Sequence, residues 1–183
     1  VILCLGLDEH LEGEEGDQGN QYASGDKQGL ALPSPQLELL KVVIDSGKPF
    51  VVCMLAGSAI DMNLISEKAS AILQAWYPGA LGGQTVADVL FGMVAPSGKL
   101  PVTFYRDLEE MPAFTDYSMK GRTYSHLTRE PLYPFGYGLT YGRMGLKHAA
   151  AIGDFQEACR HGITMDVTLE NPSDTEVSEV VQV

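Results

Sequence analysis

Basic residues are scarce in this chain. Lys and Arg number 12 against 24 Asp and Glu, which leaves a net charge of −12 and a pI near 4.6. So negative a surface repels phosphates, which excludes nucleic acid as a partner and disfavours anionic membranes. Long apolar runs are missing too. None reaches the roughly 18 to 20 residues of a bilayer crossing, so no membrane span is expected. Cysteine is limited to Cys4, Cys53 and Cys159; odd in number, widely spaced and two of them in apolar runs, they read as buried free thiols rather than disulfides or metal ligands. His10, His126, His148 and His161 share no metal-ligand spacing, so no metal and no other cofactor is expected. The glycine patterns that cradle phosphates, G-x-x-x-x-G-K-[ST] and G-x-G-x-x-G, do not occur. No internal repeat or low-complexity tract appears. The first residue is not Met, no targeting signal is visible, and both ends fall inside apolar runs, so both read as cut and the compartment stays open.

The 183 residues have room for one full domain and a remnant. Hydrophobic content of 45% and charged content of 20% are those of a globular chain with a full core. Val1 to Leu5 is a continuous apolar run of strand length, the pattern of a strand buried on both faces. It leads straight into Asp8, Glu9, Glu12, Glu14, Glu15 and Asp17, with no Lys or Arg before Lys27. A cluster of carboxylates at the carboxyl end of a parallel strand lies where open α/β sheets handle ligands. Mutual repulsion and partial burial favour keeping one carboxyl protonated, which is what a general acid facing a poor oxygen leaving group requires. Two plainer readings stand beside this one. An acidic loop is commonly a solvated turn, and carboxylates suit calcium, although the D-x-[DN]-x-[DN]-G pattern is absent.

Further along, Ser34 as N-cap and Pro35 at the first helical position open a helix with Leu37, Leu40, Val43 and Ile44 at helical spacing, stopped by Gly47. Phe50 to Leu55 is a second buried strand, ending in the small-residue turn Ala56-Gly57-Ser58. Ser58 lacks the G-x-S-x-G elbow of a nucleophile and reads as a turn residue. Met62 to Lys68 is short and amphipathic, and Ala69 to Trp76 reads as a third strand. Trp76 and Tyr77 have two readings: the floor of a sugar site, or packing against the next helix, Gln84 to Phe91. Val102 to Tyr105 reads as a short strand, followed by a long irregular, aromatic stretch from 106 to 140 of the kind that lines a site or covers another domain. After Gly142 the texture changes. Ile163 to Leu169 alternates apolar and polar, Asn171 to Asp174 is a turn, and Val177 to Val183 starts another strand, the grammar of an all-β module.

Taken in order, four stretches resemble the glycoside hydrolase family 3 enzymes, the β-glucosidases and β-xylosidases. They are Glu12-Gly-Glu14-Glu-Gly-Asp17 with Leu30-Ala-Leu-Pro33; Ala75-Trp-Tyr-Pro-Gly79 with Gly82-Gly83; Pro96-Ser-Gly-Lys-Leu-Pro101; and Gly121-Arg-Thr-Tyr124 with Tyr133-Pro-Phe-Gly-Tyr-Gly-Leu-Thr-Tyr141. The resemblance implies an α/β fold, a mostly parallel-sheet α/β sandwich over residues 1–142, followed over 143–183 by a linker and the opening of an all-β, fibronectin type III-like module. It also implies a partner outside this sequence, the family's (β/α)8-type barrel, which carries a nucleophilic Asp.

Members of the family are retaining enzymes whose second domain lends the general acid/base carboxylate. The family pattern of Glu, two residues, then Asp-Arg falls on Glu14 and Asp17, with Gln18 where Arg is usual. Glu14 is therefore the expected acid/base, and Glu12 and Glu9 offer alternative carboxylates. Trp76 and Asp17 are candidates for substrate binding, while Arg122 and Tyr124 are expected to be structural or domain-contact residues. The function implied is part of an exo-β-glycosidase acting on an oligosaccharide or glycoside, of β-glucosidase or alternatively β-xylosidase type. The competing classes are a carbohydrate-binding α/β module without chemistry and a flavodoxin-like nucleotide binder; the acidic first loop, which repels phosphate, disfavours the second.

Overall fold

The best-covered strand is the second apolar run. The computed structural model describes residues 1–13, 27, 29–113, 115–154, 158 and 160–182, and divides into two compact units, Val1–Ala87 with Leu100–Tyr137 and Asp88–Lys99 with Gly138–Val183. In the first unit β2 (Val51–Leu55) lies between β1 (Ile2–Gly6) and β3 (Ala71–Gln74), all parallel, in the order β1-β2-β3. Val52, Cys53 and Met54 of β2 are all buried, as a central strand covered on both faces must be. β1 departs from the expectation. Leu3 and Leu5 are buried, but Ile2 is 53% exposed and Cys4 is exposed as well, so at this edge of the described sheet only one face is covered. Of the free thiols, Cys53 alone is buried; burial and the neighbouring Cys4 push its pKa up to about 11, and Cys159 lies outside the described residues.

Between the strands, α1 (Glu9–Glu12) and α2 (Ser34–Asp45) follow β1, α3 (Asn63–Lys68) follows β2, and α4 (Gly82–Leu90) follows β3. α2 begins one residue earlier than its sequence suggests. Pro33 occupies the N-cap position and makes no side-chain cap bond, so Ser34 sits inside the first turn. Pro35 there costs nothing, since first-turn N–H groups have no intrahelical partner. Leu40 and Val43 are buried in the core, with Leu37 and Ile44 packed against it. Gln36 ties this first turn to the end of β1 in both directions: the Gly6 N–H donates to Gln36 Oε1 at 2.9 Å, and Gln36 Nε2 donates to the Gly6 carbonyl at 2.8 Å. Gly6 has to be glycine, because a Cβ there would lie 1.7 Å from the Leu55 carbonyl oxygen.

β3 is shorter than expected. It ends at Gln74, because Trp76 turns out of the extended conformation with φ 53°. The stretch Val102 to Tyr105 forms no strand; it contributes an isolated bridge in which the Phe104 N–H donates to the Tyr133 carbonyl at 2.8 Å and the Leu132 N–H to the Phe104 carbonyl at 2.9 Å. A single bridge suffices here because Phe104 is itself core, 1% exposed, against Trp76 and Tyr133. The irregular stretch holds a 3-10 turn (Leu108–Glu110) and α5 (Thr123–His126).

In the second unit, β4 (Gly145–Ile152) pairs antiparallel with β5 (Thr164–Glu170), with a register irregularity between Leu146 and His148. The expected hairpin partner was downstream. Asn171 to Asp174 does turn, with the Ser173 N–H donating to Asn171 Oδ1 at 3.0 Å, but residues 177–182 form no strand and β5 pairs upstream instead. Most residues of both strands are exposed. Lys99 Nζ donates to the Gly138 carbonyl at 2.8 Å and pairs with Glu179 at 3.1 Å, while the Tyr141 hydroxyl donates to the Val89 carbonyl at 2.6 Å. No helix among the described residues is long and apolar enough to cross a membrane.

The importance of Phe104 is testable in the 183-residue chain. Phe104→Ala is expected to lower urea-unfolding stability by about 3–5 kcal/mol, whereas Val102→Ala, at a side chain 42% exposed, should change it by no more than about 0.5 kcal/mol.

Candidate active site

Each acidic residue after β1 that the structure describes has its own task. Asp8 caps α1: its Oδ1 accepts from the backbone N–H of His10 at 3.1 Å and of Leu11 at 2.9 Å. Glu9, in the first turn of α1, points to solvent with its side chain 81% exposed and lies 3.7 Å from the His10 imidazole. Glu12 closes the helix and turns inward. Glu14 and Asp17 lie outside the described residues.

The Glu12 carboxylate is held by four donors. Oε1 accepts from the Ser58 N–H at 2.9 Å and the Ser58 hydroxyl at 2.6 Å. Oε2 accepts from the Gly57 N–H at 3.1 Å and the Tyr77 hydroxyl at 2.6 Å. Two segments therefore converge on it, the turn after β2 and the aromatic pair after β3, so that the exits of all three parallel strands meet at one anion. Gly57 makes the approach possible, since a Cβ there would lie 2.7 Å from both Glu12 Oε2 and Tyr77 Cε2. The backbone is tied at the same place. The Lys27 N–H donates to the Glu12 carbonyl at 2.9 Å, and Lys27 Nζ donates to the Ala59 carbonyl at 2.7 Å.

Partial burial of Glu12 pushes its pKa up, but the hydrogen bonds from Ser58, Tyr77 and Gly57 and the charge of Lys27 outweigh burial and hold it below the ordinary carboxylate value. A general acid needs the opposite shift. The four donors make Glu12 a tie between the strand exits. The Tyr77 phenol responds in kind: burial, its bond to Glu12 and that residue's charge push its pKa up to about 12, so it remains a donor. Desolvation pulls the Lys27 pKa down, against the opposing pull of Glu12.

Of the two aromatics, Trp76 packs against the core, its ring centroid 6.3 Å from that of Phe104. Tyr77, 52% exposed, is the one whose polar end enters the site. Arg122 spends its guanidinium on the loop before it, donating to the carbonyls of Ser118 and Ala113 at 3.1 Å each and to that of Asp116. Tyr124 stacks on Phe135 with centroids 5.5 Å apart and planes 17° from parallel. No group of three or more His, Cys, Asp or Glu among the described residues is arranged to hold a metal ion. Sequence reasoning missed Gly57, Ser58, Tyr77 and Lys27 as partners of Glu12. The available signals were a small-residue turn at a strand's carboxyl end and an aromatic one strand over.

A sequence profile of the glycosyl hydrolase family 3 C-terminal domain matches residues 1–141. The chain belongs to glycosyl hydrolase family 3. It is 47% identical over 142 residues to a xylan 1,4-beta-xylosidase of Xylanibacter ruminicola, a match covering 77% of this chain and 16% of that protein. It is 31% identical over 178 residues to a periplasmic beta-glucosidase of Salmonella typhimurium, covering 90% of this chain and 23% of that protein. The crystal structure of a family 3 β-glucosidase from Bifidobacterium adolescentis superposes with a TM-score of 0.74 at 29% identity, over 95% of this chain and 26% of that one. The chain thus spans roughly a sixth to a quarter of the relatives it matches. The parallel three-stranded α/β arrangement is that of the family's C-terminal domain.

The Glu12 anchor has a pH signature. A carboxylate whose folded pKa is depressed stabilises the fold above its unfolded value, ordinarily near 4.5, and loses that contribution as pH falls through the folded value. Glu12→Gln should therefore lower Tm most at pH above roughly 5.5, and the gap from the parent chain should close as pH drops below about 4. Thermal unfolding of both proteins across that range measures it.

Proposed function

We propose that this chain belongs to a retaining exo-β-glycosidase that removes terminal non-reducing β-linked sugars, and that it supplies the general acid/base carboxylate from the acidic segment after β1. Residues 1–142 are then most of the α/β-sandwich domain, and 143–183 lead into a fibronectin type III-like module. The observation that supports the reading is where the described residues flanking Glu14 stand, Glu12 before it and Lys27 after it. The chain leaves the carboxyl end of β1 beside the exits of β2 and β3, and Glu12 and Lys27 are both tied to the turn after β2.

Glu14 is the acid/base in this proposal. Glu12 is committed to four donors and kept anionic, and Glu9 projects into solvent. In the first step an Asp of the barrel outside this sequence attacks the anomeric carbon while Glu14 gives its proton to the departing glycosidic oxygen. In the second, ionised Glu14 takes a proton from water as that water displaces the enzyme carboxylate from the sugar. Retention requires the two carboxyls to stand about 5 Å apart across the bond. Asp17, in the same segment, contributes to substrate binding. The sugar is glucose or xylose. Relatives of both types match the chain, and 47% identity to a xylan 1,4-beta-xylosidase keeps the xyloside reading alongside the glucoside one.

In the full-length enzyme, Glu14→Gln should slow natural glycosides far more than aryl glycosides with good leaving groups, and azide should restore turnover with formation of a glycosyl azide. The same signature at Glu12→Gln and not at Glu14→Gln would reverse the assignment. The 183-residue chain alone should release no nitrophenol from nitrophenyl glucoside or xyloside, and clear turnover by it would contradict a site shared with a barrel.

A further inference from the structure

We propose that Glu12 is a positioning residue for the acid/base, acting through its bonds to Gly57, Ser58 and Tyr77, and that Tyr77 and Ser58 influence the chemistry only through it. The inference rests on the reading of the acidic segment as the source of the proton. Glu12 is two residues before Glu14, and two residues of extended chain reach no farther than about 7 Å. Whatever fixes Glu12 therefore bounds where the proton donor can stand. A displacement of about 1 Å in a catalytic group can cost on the order of a hundredfold in rate.

The geometry is more than a fold contact requires. A carboxylate needing only solvation would find it in water, and a surface bond adds little stability. Here both oxygens are doubly occupied, by donors 45, 46 and 65 residues away in sequence. Those donors come from the carboxyl-end turns of the two neighbouring strands, the end where such sheets handle ligands. The far end of the same segment is held at the same turn, through Lys27 Nζ on the Ala59 carbonyl and the Lys27 N–H on the Glu12 carbonyl. Residues 57 to 59 thus hold both ends of the acidic segment. Gly57 completes the case: a methyl group there meets the Glu12 carboxylate and the Tyr77 ring rather than the backbone, so it opens the cradle first.

The test uses the full-length enzyme carrying Tyr77→Phe, Ser58→Ala, Gly57→Ala or Glu12→Gln, with active sites counted by a 2-deoxy-2-fluoro glycoside inactivator so that misfolded protein does not enter the rates. Per titrated site, kcat/KM on disaccharides should fall about tenfold or more, up to the 10²–10⁴ a general acid contributes. On dinitrophenyl glycosides kcat/KM should fall less than about twofold, since a good leaving group needs no proton, while kcat and KM fall together as the base-assisted second step slows. Wild-type leaving-group dependence in both Tyr77→Phe and Ser58→Ala would overturn the proposal and leave the cradle a fold contact. Azide rescue of Glu12→Gln would also overturn it, by making Glu12 the acid itself. Should Glu14→Gln show no azide rescue while Tyr77→Phe keeps the leaving-group signature, Glu14 is displaced as the acid and the positioning role of Glu12 stands.

Discussion

One half-buried anion organises the exits of three strands. The carboxylate of Glu12 joins the turn that leaves β2 to the aromatic pair that leaves β3, and its own chain is the one leaving β1. Mutual repulsion alone would spread the carboxylates of such a stretch apart. Four hydrogen bonds and a lysine offset that repulsion at one residue and leave its neighbours to other tasks. The cluster that looks uniform in sequence is therefore differentiated in space: Asp8 caps a helix, Glu9 faces solvent and Glu12 anchors.

The layers of the first unit were legible because burial writes itself into sequence. Apolar runs at 1–5 and 50–55 are β1 and β2, and helical spacing of Leu37, Leu40, Val43 and Ile44 marks the buried side of α2. Errors came where a local pattern lacked its tertiary partner. Ile2 and Cys4 belong to an apolar run yet lie on the exposed face of β1. Val102 to Tyr105 has strand composition, but Phe104 finds its place through the core and one bridge. Residues 146–152 gave no alternation, so β4 went unseen, while the valines from 177 onward suggested a strand that does not form.

The candidate site was half legible. Its carboxylates announce themselves, and the family resemblance drawn from the motifs agrees with the profile match over residues 1–141. What the sequence hides is the division of labour. Two of the four donors to Glu12 are backbone N–H groups, which carry no side-chain signature, and the others are a Ser and a Tyr far along the chain. Only the fold of the parallel sheet brings them within reach, so no spacing rule exposes them.

The backbone bond from Lys27 to Glu12 carries a wider implication. It makes positions 12 and 27 neighbours, so the stretch between them is a detour whose entrance and exit coincide. Lengthening a detour of that kind costs little, about 0.6 kcal/mol per doubling, and leaves the framework beneath undisturbed. The sheet beneath is therefore insulated from changes in the length of chain between those two positions.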